Sequence, residues 1–494
     1  MKIRYIFGVC LALAATSKSF AQSQDTEYLA VFMEGKKVGH AIQSRVEADG
    51  KVTTSEKVSI TISRAAVPVT IDMTETSIET TEGKPLGFEV IQNLGIMTMK
   101  VAGTVDEKEM VNVTTTMMGG EQKSTMQWPS GAVMSEGLLQ LSRKQGLKEG
   151  TTYTARIFSP SLMQTLDVQI RIGPKQTVDL LGRVVTLTEV KTSYKMPEAG
   201  EMLSTGYVDE DLKVQKSIVP IAGIQVEMVA CAEEFALGQN DVFEVVDKVF
   251  LTSPRPLDNV GLAKSVVYHL SPTKEVDLII PSNDNQKIQR LKNGTVIVTV
   301  EPVAAPAGAR FPYEGKSEKI LEAMKPNRFL QSDHKEIIKL AQRAIGDTKD
   351  AAEAIRKIEA FVADYIENKN LSVGYASAVE VADSKQGDCS EFAVLTAAMC
   401  RAVGIPAQVV TGIAYVKEFA GLKDCFGGHA WVQAYIGEDT GKWIGLDAAF
   451  KGTGRGSYGP GHITLAAGNG EPADFFNLVT TLGQFKIDKV IVNN

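Results

Sequence analysis

Short runs of alternating apolar and polar residues, separated by turn residues, fill the chain from Thr26 to Thr252. Such alternation is typical of β-strands that bury one face. Asp49-Gly50 lies between two of these runs, and this dipeptide suits a hairpin turn that needs positive φ. The even spacing of the runs predicts one large, mostly antiparallel sheet or a β-sandwich, with a brief helix only at residues 132–145.

Two proline-rich breaks follow this region, one at Ser253–Pro256 and one in PVAAPAGARFP, residues 302–312. Between them, Asn293-Gly294 predicts the tip of a hairpin in a smaller β segment. The predicted division is a signal peptide at 1–21, a β-rich domain at 22–252, a small β segment and linker at 253–325, and a last domain at 326–494.

The last domain begins with two segments whose apolar residues recur at helical spacing, HKEIIKLAQRAI and AAEAIRKIEAFVADYI. A third apolar segment follows within Lys385–Gln408, and then three strand-like runs, AQVVTGIAYV, HAWVQAYIG and KWIGLDAAF. The order is three helices and then three strands. Together with the β-rich region, this order predicts the α+β class for the chain.

The first 21 residues have the pattern of a secretory signal: two early basic residues, an apolar run of about ten residues, and Ser19-Phe20-Ala21 as a cleavage site. We therefore expect an exported protein, periplasmic or extracellular, that does not span a membrane. The formal net charge is −7, and loss of this segment makes it more negative. An acidic chain disfavours nucleic acid as a partner.

Four cysteines remain after the predicted signal, which argues against a disulfide scaffold in an exported chain of this length. Cys389 and Cys400 lie on one predicted helix about 16 Å apart, too far for a bridge. Cys400 is interpreted as core packing. Cys425 precedes His429 in a glycine-flanked loop and is either a free thiol near the site or a partner of Cys400.

The position of Cys389 in KQGDCSEF indicates a thiol that takes part in a reaction and not in core packing. Asp388 and Glu391 form the i, i+3 pattern of a capping box, so Cys389 is predicted as the first residue of an apolar, buried helix. The positive end of a helix stabilises the thiolate, which is the nucleophilic form of cysteine. Glu391 is interpreted as the capping partner of Asp388 and not as an acid catalyst.

A cysteine nucleophile needs a base, and the base needs an orienting group. His429 opens the run HAWVQAYIG, and Asp447 ends the next run, KWIGLD. Antiparallel pairing through the turn at 437–442 would bring the two side chains together. The spacing therefore predicts Cys389 as nucleophile, His429 as base and Asp447 as the orienting carboxylate.

These blocks closely resemble the transglutaminase-like superfamily: GDCSEFAVLTAAMCRAVGIPA, then HAW, then LD after a strand that bears a tryptophan. The resemblance covers about Asp333–Phe450. It implies a papain-type core in which Cys389, His429 and Asp447 are the catalytic residues. Asp447 is followed by Ala448-Ala449, where many relatives have Pro-Thr, which is a departure in the local turn.

The predicted function is an exported thiol enzyme that cleaves or transfers amide bonds of a protein or peptide substrate, with peptidase or amidase activity favoured. One alternative is a protein-crosslinking transglutaminase. Another is a binding or scaffold protein in which the papain-like core is catalytically idle.

No cofactor or metal is predicted. The glycine-rich run at 452–461 lacks both the GK[ST] ending and the following helix of a phosphate loop, and is interpreted as a loop bordering the catalytic groove. His40, His269 and His334 lack the spacing of metal ligands. For His462, a structural role is favoured over a role as a second site histidine.

Overall fold

The computed structural model describes residues 23–94, 97–117, 120–196, 200–221, 224–245, 250–273, 278–371, 376–470 and 481–494. The predicted signal at 1–21 lies outside these residues. The described residues divide into two compact units, one that ends at Glu244 and one that begins at Val245. Among the residues described, no helix is both long and apolar enough to cross a membrane.

The N-terminal unit is built on one sheet of 14 strands, and every pair of neighbours in it is antiparallel. The first and last of these strands in sequence pair with each other. The prediction of one large antiparallel sheet is thereby confirmed. In chain order the strands are β1 Ser23–Met33, β2 Lys36–Ala48, β3 Lys51–Arg64, β4 Val67–Thr80, β5 Pro85–Leu94, β6 Met97–Val105, β7 Met110–Met117, β8 Gly120–Gln127, β9 Thr152–Ser159, β10 Gln164–Leu180, β11 Arg183–Met196, β12 Gly200–Val208, β13 Val214–Ile221 and β14 Ile224–Cys231.

Local chemistry explains the turns and the helix of this unit. Asp49 and Gly50 have φ of 52° and 70°, the left-handed pair that the predicted hairpin between β2 and β3 requires. Helix α1, Ser135–Gln145, is confirmed where the sequence predicted it. Its first N–H groups are capped by the buried carboxylate of Glu79, which accepts from the backbone of Glu136 at 2.7 Å. A second short helix, α2, covers Glu233–Ala236.

The C-terminal unit contains two larger sheets and a group of helices. One sheet has the order β15-β22-β21-β24, with β23 paired to β22; the other has the order β17-β18-β16-β25. The strands are β15 Phe250–Thr252, β16 Ser265–Pro272, β17 Gln286–Arg290, β18 Val296–Val300, β19 Asn368–Lys369, β20 Gln386–Gly387, β21 Ala407–Phe419, β22 Leu422–Ile436, β23 Lys442–Leu446, β24 His462–Gly468 and β25 Phe485–Asn493. The α-helices are α3 Glu318–Glu322, α4 Lys335–Ile345, α5 Ala351–Tyr365, α6 Ala378–Ser384, α7 Cys389–Ala402 and α8 Ala448–Gly452.

The two sheets of this unit share a hydrophobic core. Tyr268 and Val298 of the four-stranded sheet are fully buried in one cluster with Phe426 and Ile463 of the other sheet. Strand β25 comes from the end of the chain yet pairs along β16. The boundary predicted between residues 325 and 326 therefore falls inside one compact unit.

The prediction that His429 opens a strand and that Cys425 lies in a loop is wrong. Strand β22 starts at Leu422, because the β21–β22 ladder continues down to a tight turn at Ala420-Gly421, with φ of 49° and 85°. His429 thus lies within a strand and does not open one, and Cys425 lies in the strand and not in a loop. Helix α6 is an additional helix that the sequence analysis did not predict.

Candidate active site

The start of α7 presents Cys389 as predicted. Asp388 is the N-cap and accepts from the backbone N–H of Ser390 at 3.0 Å, while Glu391 Oε2 accepts from the backbone N–H of Asp388 at 2.9 Å. The capping box is confirmed. Gly387 has φ of 156°, and a Cβ there would approach the Glu391 side chain at 2.3 Å, so this position requires glycine.

Glu391 is a buried cap, in agreement with its predicted role. Its Oε1 also accepts from the backbone N–H of Ala376 at 2.9 Å. Burial, followed by the negative charge of Asp388, raises the pKa of Glu391 to about 8. The carboxyl group therefore ties the start of α7 to the segment before α6 and fixes the position of Cys389.

His429 brings the three predicted residues together. Its Nε2 lies 2.8 Å from Asp447 Oδ2, and the Cys389 side chain is near enough to the ring to raise its pKa. Because Asp447 occupies Nε2, Nδ1 is the ring nitrogen that remains for the thiol. The imidazole is buried, with 8% of the residue exposed, whereas Cys389 is half-buried.

Asp447 follows β23 directly and caps α8, where its Oδ1 accepts from the backbone N–H of Phe450 at 2.9 Å. Burial alone would raise its pKa. The two imidazoles that donate to it, His429 and His462, outweigh burial and hold the pKa of this carboxyl well below its usual range. Asp447 is therefore ionised at neutral pH.

The same pairing sets the charge on His429. Burial lowers the pKa of this imidazole. The Asp447 carboxylate and the Cys389 side chain raise the pKa by more than burial lowers it, so that it reaches about 10. At neutral pH the ring is therefore an imidazolium, and Cys389 is one of the residues that favour its charged form. This is the electrostatic arrangement that stabilises a thiolate nucleophile.

Residues 338–448 match the family model of the transglutaminase-like superfamily. The C-terminal unit contains a transglutaminase-like core. The match includes Cys389, His429 and Asp447 and ends before His462. The predicted resemblance is thereby confirmed, as is the α+β class with this core after a large antiparallel sheet.

Solved structures with partial similarity include a proposed cysteine protease from Cytophaga hutchinsonii, 18% identical, matched over 50% of this chain and 85% of its own, with a TM-score of 0.29. A β-barrel-like protein with a domain of unknown function from Brucella abortus is 10% identical over 42% of this chain and 94% of its own, with a TM-score of 0.31. A proposed protease from Parabacteroides distasonis is 12% identical over 70% of this chain and 63% of its own, with a TM-score of 0.19. A search of curated protein sequences gives no match.

Two further residues support Asp447 of the transglutaminase-like core. His462 Nε2 lies 2.9 Å from Asp447 Oδ2, the oxygen that also binds His429. Glu359 of α5 is 1% exposed, and its Oε1 accepts from the backbone N–H of Asp447 at 2.7 Å and from the Ser457 hydroxyl. For His462 the sequence favoured a structural role over a role as a second site histidine. Its contact with Asp447 agrees with the second of these roles.

The position of Glu359 in the sequence indicates a buried carboxylate, although it was not among the predicted site residues. It lies four residues after Ile355 and three before Val362, on the apolar stripe of α5. A carboxylate on a buried stripe needs buried donors, and here they include the backbone of Asp447. His462 had no comparable local signal, because its partner comes 15 residues earlier and in another element.

Aromatic rings surround the two imidazoles. The ring of Phe450 lies 4.6 Å from His429 between centroids, and that of Tyr458 lies 5.0 Å from His462. Trp431 contacts both histidines. Tyr458 belongs to the glycine-rich segment 452–461, so part of that predicted loop borders the site. Exclusion of water by these rings strengthens the hydrogen bonds to Asp447.

His429, Asp447 and His462 are also the group, among the residues described, whose ligand atoms lie close enough to surround a metal ion, within 4.8 Å of one another. The separations of 2.8 and 2.9 Å are those of hydrogen bonds, and each nitrogen is already paired with the carboxylate. We assign these atoms to a hydrogen-bonded group and name no metal.

The four cysteines of the described chain are free thiols, so the alternative pairing of Cys400 with Cys425 is wrong. Cys400 is fully buried in α7, which confirms its interpretation as core packing, and Cys425 is buried in β22. Burial first, and then nearby carboxylates, raise the pKa of Cys400 to about 12 and that of Cys425 to about 11. Neither thiol is poised to react.

Proposed function

We propose that the chain is an exported thiol enzyme that cleaves or transfers amide bonds through Cys389, His429 and Asp447. The observation that supports this most is the position of the His429 ring, whose Nε2 lies 2.8 Å from Asp447 Oδ2 and whose pKa is raised by both Asp447 and the nearby Cys389 side chain. An imidazole bridging a thiol and a buried carboxylate can move a proton between the sulfur and a leaving group.

In the first step, the Cys389 sulfur attacks the carbonyl carbon of an amide and forms a tetrahedral intermediate. The backbone N–H of Cys389 is the donor that we name for the oxyanion, because the first N–H of a helix has no partner within the helix. When the C–N bond breaks, His429 Nδ1 gives its proton to the leaving amine. The product is a thioester on Cys389 and a free amine.

In the second step, water or an amine attacks the thioester carbon. Neutral His429 accepts the proton of the attacking group, the C–S bond breaks, and the thiolate is restored beside the imidazolium. Water yields a carboxylic acid, as in a peptidase or amidase, and an amine yields a new amide. Asp447 holds His429 in the tautomer with the proton on Nε2 throughout.

The test is turnover of a peptide library by the full chain, with Cys389→Ala as the inactive variant. Cys231→Ala is the matched control, because Cys231 is the other half-buried free cysteine described and lies in the N-terminal unit. We expect wild-type protein and the control to release amine products. Full turnover by Cys389→Ala would overturn the proposal.

Mass spectrometry in the presence of added alkylamines then separates the reaction types. Products that gain water indicate a hydrolase, which we favour, and products that gain the amine indicate crosslinking activity. An absence of any Cys389-dependent product, together with slow alkylation of Cys389, would favour an idle scaffold.

Export to the periplasm or the medium is part of the proposal and is supported by the signal pattern of residues 1–21. The mass of the protein recovered from the periplasmic fraction tests it. We expect a chain that begins near Gln22.

A further inference from the structure

One oxygen of Asp447 serves two histidines. Oδ2 lies 2.8 Å from His429 Nε2 and 2.9 Å from His462 Nε2, while Oδ1 accepts from the backbone N–H of Phe450. The triad chemistry requires the bond between Asp447 and His429. It does not by itself require the bond between Asp447 and His462. His462 is 3% exposed and belongs to β24, an element outside the family match.

The surroundings of His462 fix which nitrogen carries a proton. Its Nδ1 lies 3.0 Å from the carbonyl oxygen of Gly459 and 3.4 Å from the backbone nitrogen of the same residue. If the ring is neutral, Nδ1 accepts from that N–H and Nε2 bears the proton. If the ring is charged, both nitrogens bear protons. In either state Nε2–H donates to Asp447, because an unprotonated Nε2 would face an ionised oxygen at 2.9 Å.

We propose that His462 limits the proton affinity of His429 by holding the same oxygen of Asp447. A carboxylate oxygen that receives two N–H donors divides its negative charge between them, so each bond is weaker than it would be alone. His462 is thus a positioning and tuning residue that acts through Asp447.

The benefit of this tuning to catalysis rests on the proposed function. His429 must release a proton to the leaving amine, and an imidazole held too strongly in the charged form is a poor general acid. Against the lowering effect of burial, Asp447 and then the Cys389 side chain already raise the pKa of His429 to about 10. A second donor on Asp447 opposes that rise.

The other acidic side chains described near the triad have hydrogen-bond partners of their own. Asp388 and Glu391 at the start of α7 are engaged in its capping box. Glu359 of α5 accepts from the backbone of Asp447, and its other oxygen lies near Arg356 and Lys451. These contacts remain in place when only the His462 side chain is changed.

The test is an NMR titration of the full chain labelled at histidine Cε1, in a Cys389→Ala background that removes the thiol contribution. The sequence has five histidines, and the His429 signal is assigned by its loss in His429→Gln. His462→Leu removes the donor, whereas His462→Gln keeps an N–H donor. Tyr458→Phe is the control, because it alters the ring that packs on His462 and leaves both histidines in place.

We expect the titration midpoint of His429 to rise by about half a pH unit or more in His462→Leu. It should stay within about 0.2 units of the parent in His462→Gln and Tyr458→Phe. If His462→Leu does not fold, His462→Met serves in its place. A folded variant without the donor whose midpoint is unchanged or lower, or an equal rise in His462→Gln, would overturn the inference. This readout needs no turnover, so it is independent of whether the proposed amide chemistry is correct.

Discussion

His429 Nε2 lies 2.8 Å from Asp447 Oδ2, just beyond the end of the ladder that pairs β22 with β23. The ladder pairs Val432 with Leu446, one residue before Asp447. The carboxylate thus reaches the imidazole through the register of the sheet, and it leaves the other ring nitrogen for Cys389. A rigid antiparallel pair holds the base and its orienting group.

Asp447→Asn should lower kcat by about 10³- to 10⁴-fold with little change in KM. An amide in this position can present N–H to His429 Nε2, which forces the ring proton onto the nitrogen that must serve the thiol. Steady-state kinetics on a substrate from the peptide library measure the change. Asp439→Asn in the turn after β22 is the matched control and should stay within about twofold. A loss of less than tenfold in Asp447→Asn would count against the assigned role.

Glu359→Leu should destabilise the protein by about 2 to 4 kcal/mol. The substitution leaves the buried N–H of Asp447 without its acceptor, and kcat should fall because the carboxylate loses its support. Glu359→Gln retains an acceptor and should recover most of both quantities. Glu353→Gln, on the exposed side of the same helix, should leave stability nearly unchanged. Urea unfolding supplies the comparison, and equal losses for Glu359→Leu and Glu353→Gln would refute this account.

Stability should fall at alkaline pH through His429. Its pKa is raised to about 10, so the stabilisation from the folded imidazolium is fully present below about pH 6.5 and is lost as pH rises through 10. Urea unfolding between pH 6.5 and 10.5 should show a larger loss for the wild type than for His429→Gln, which lacks the titrating group. Parallel curves for the two proteins would show that this pairing contributes nothing.

Gly387→Ala should cost about 1 to 3 kcal/mol and slow the reaction of Cys389. The added Cβ would have to displace the Glu391 side chain, whose carboxyl group holds the start of α7. Gly456→Ala is the control, since this glycine also has positive φ but has open space around it. Thermal unfolding and alkylation rates are the measurements. If both variants alkylate at the same rate, the capping box does not position the sulfur.

Local signals explain which features were predictable. The capping box at Asp388 and Glu391 uses residues three apart, and the Asp49-Gly50 and Asn293-Gly294 turns depend on backbone preferences of the residues themselves. His429 and Asp447 could be placed together because one short hairpin joins their strands. In each case the interacting groups are close in sequence.

Long-range pairing explains what was missed. Strand β1 pairs with β14 about 200 residues later, and β25 pairs with β16 across a comparable span. No turn chemistry specifies such partners, because they are selected by which apolar faces bury each other. His462 and Glu359 reach Asp447 by the same kind of assembly.

Selective alkylation of Cys389 at pH 6.5 is the most direct test of the arrangement of sulfur, imidazole and carboxylate. Iodoacetamide reacts with thiolates, and burial raises the pKa of Cys231, Cys400 and Cys425. We expect peptide mass spectrometry to find Cys389 modified at least about 100 times faster than Cys231, with the advantage lost in His429→Gln. Equal rates at Cys389 and Cys231, or a rate at Cys389 that does not depend on His429, would contradict the account.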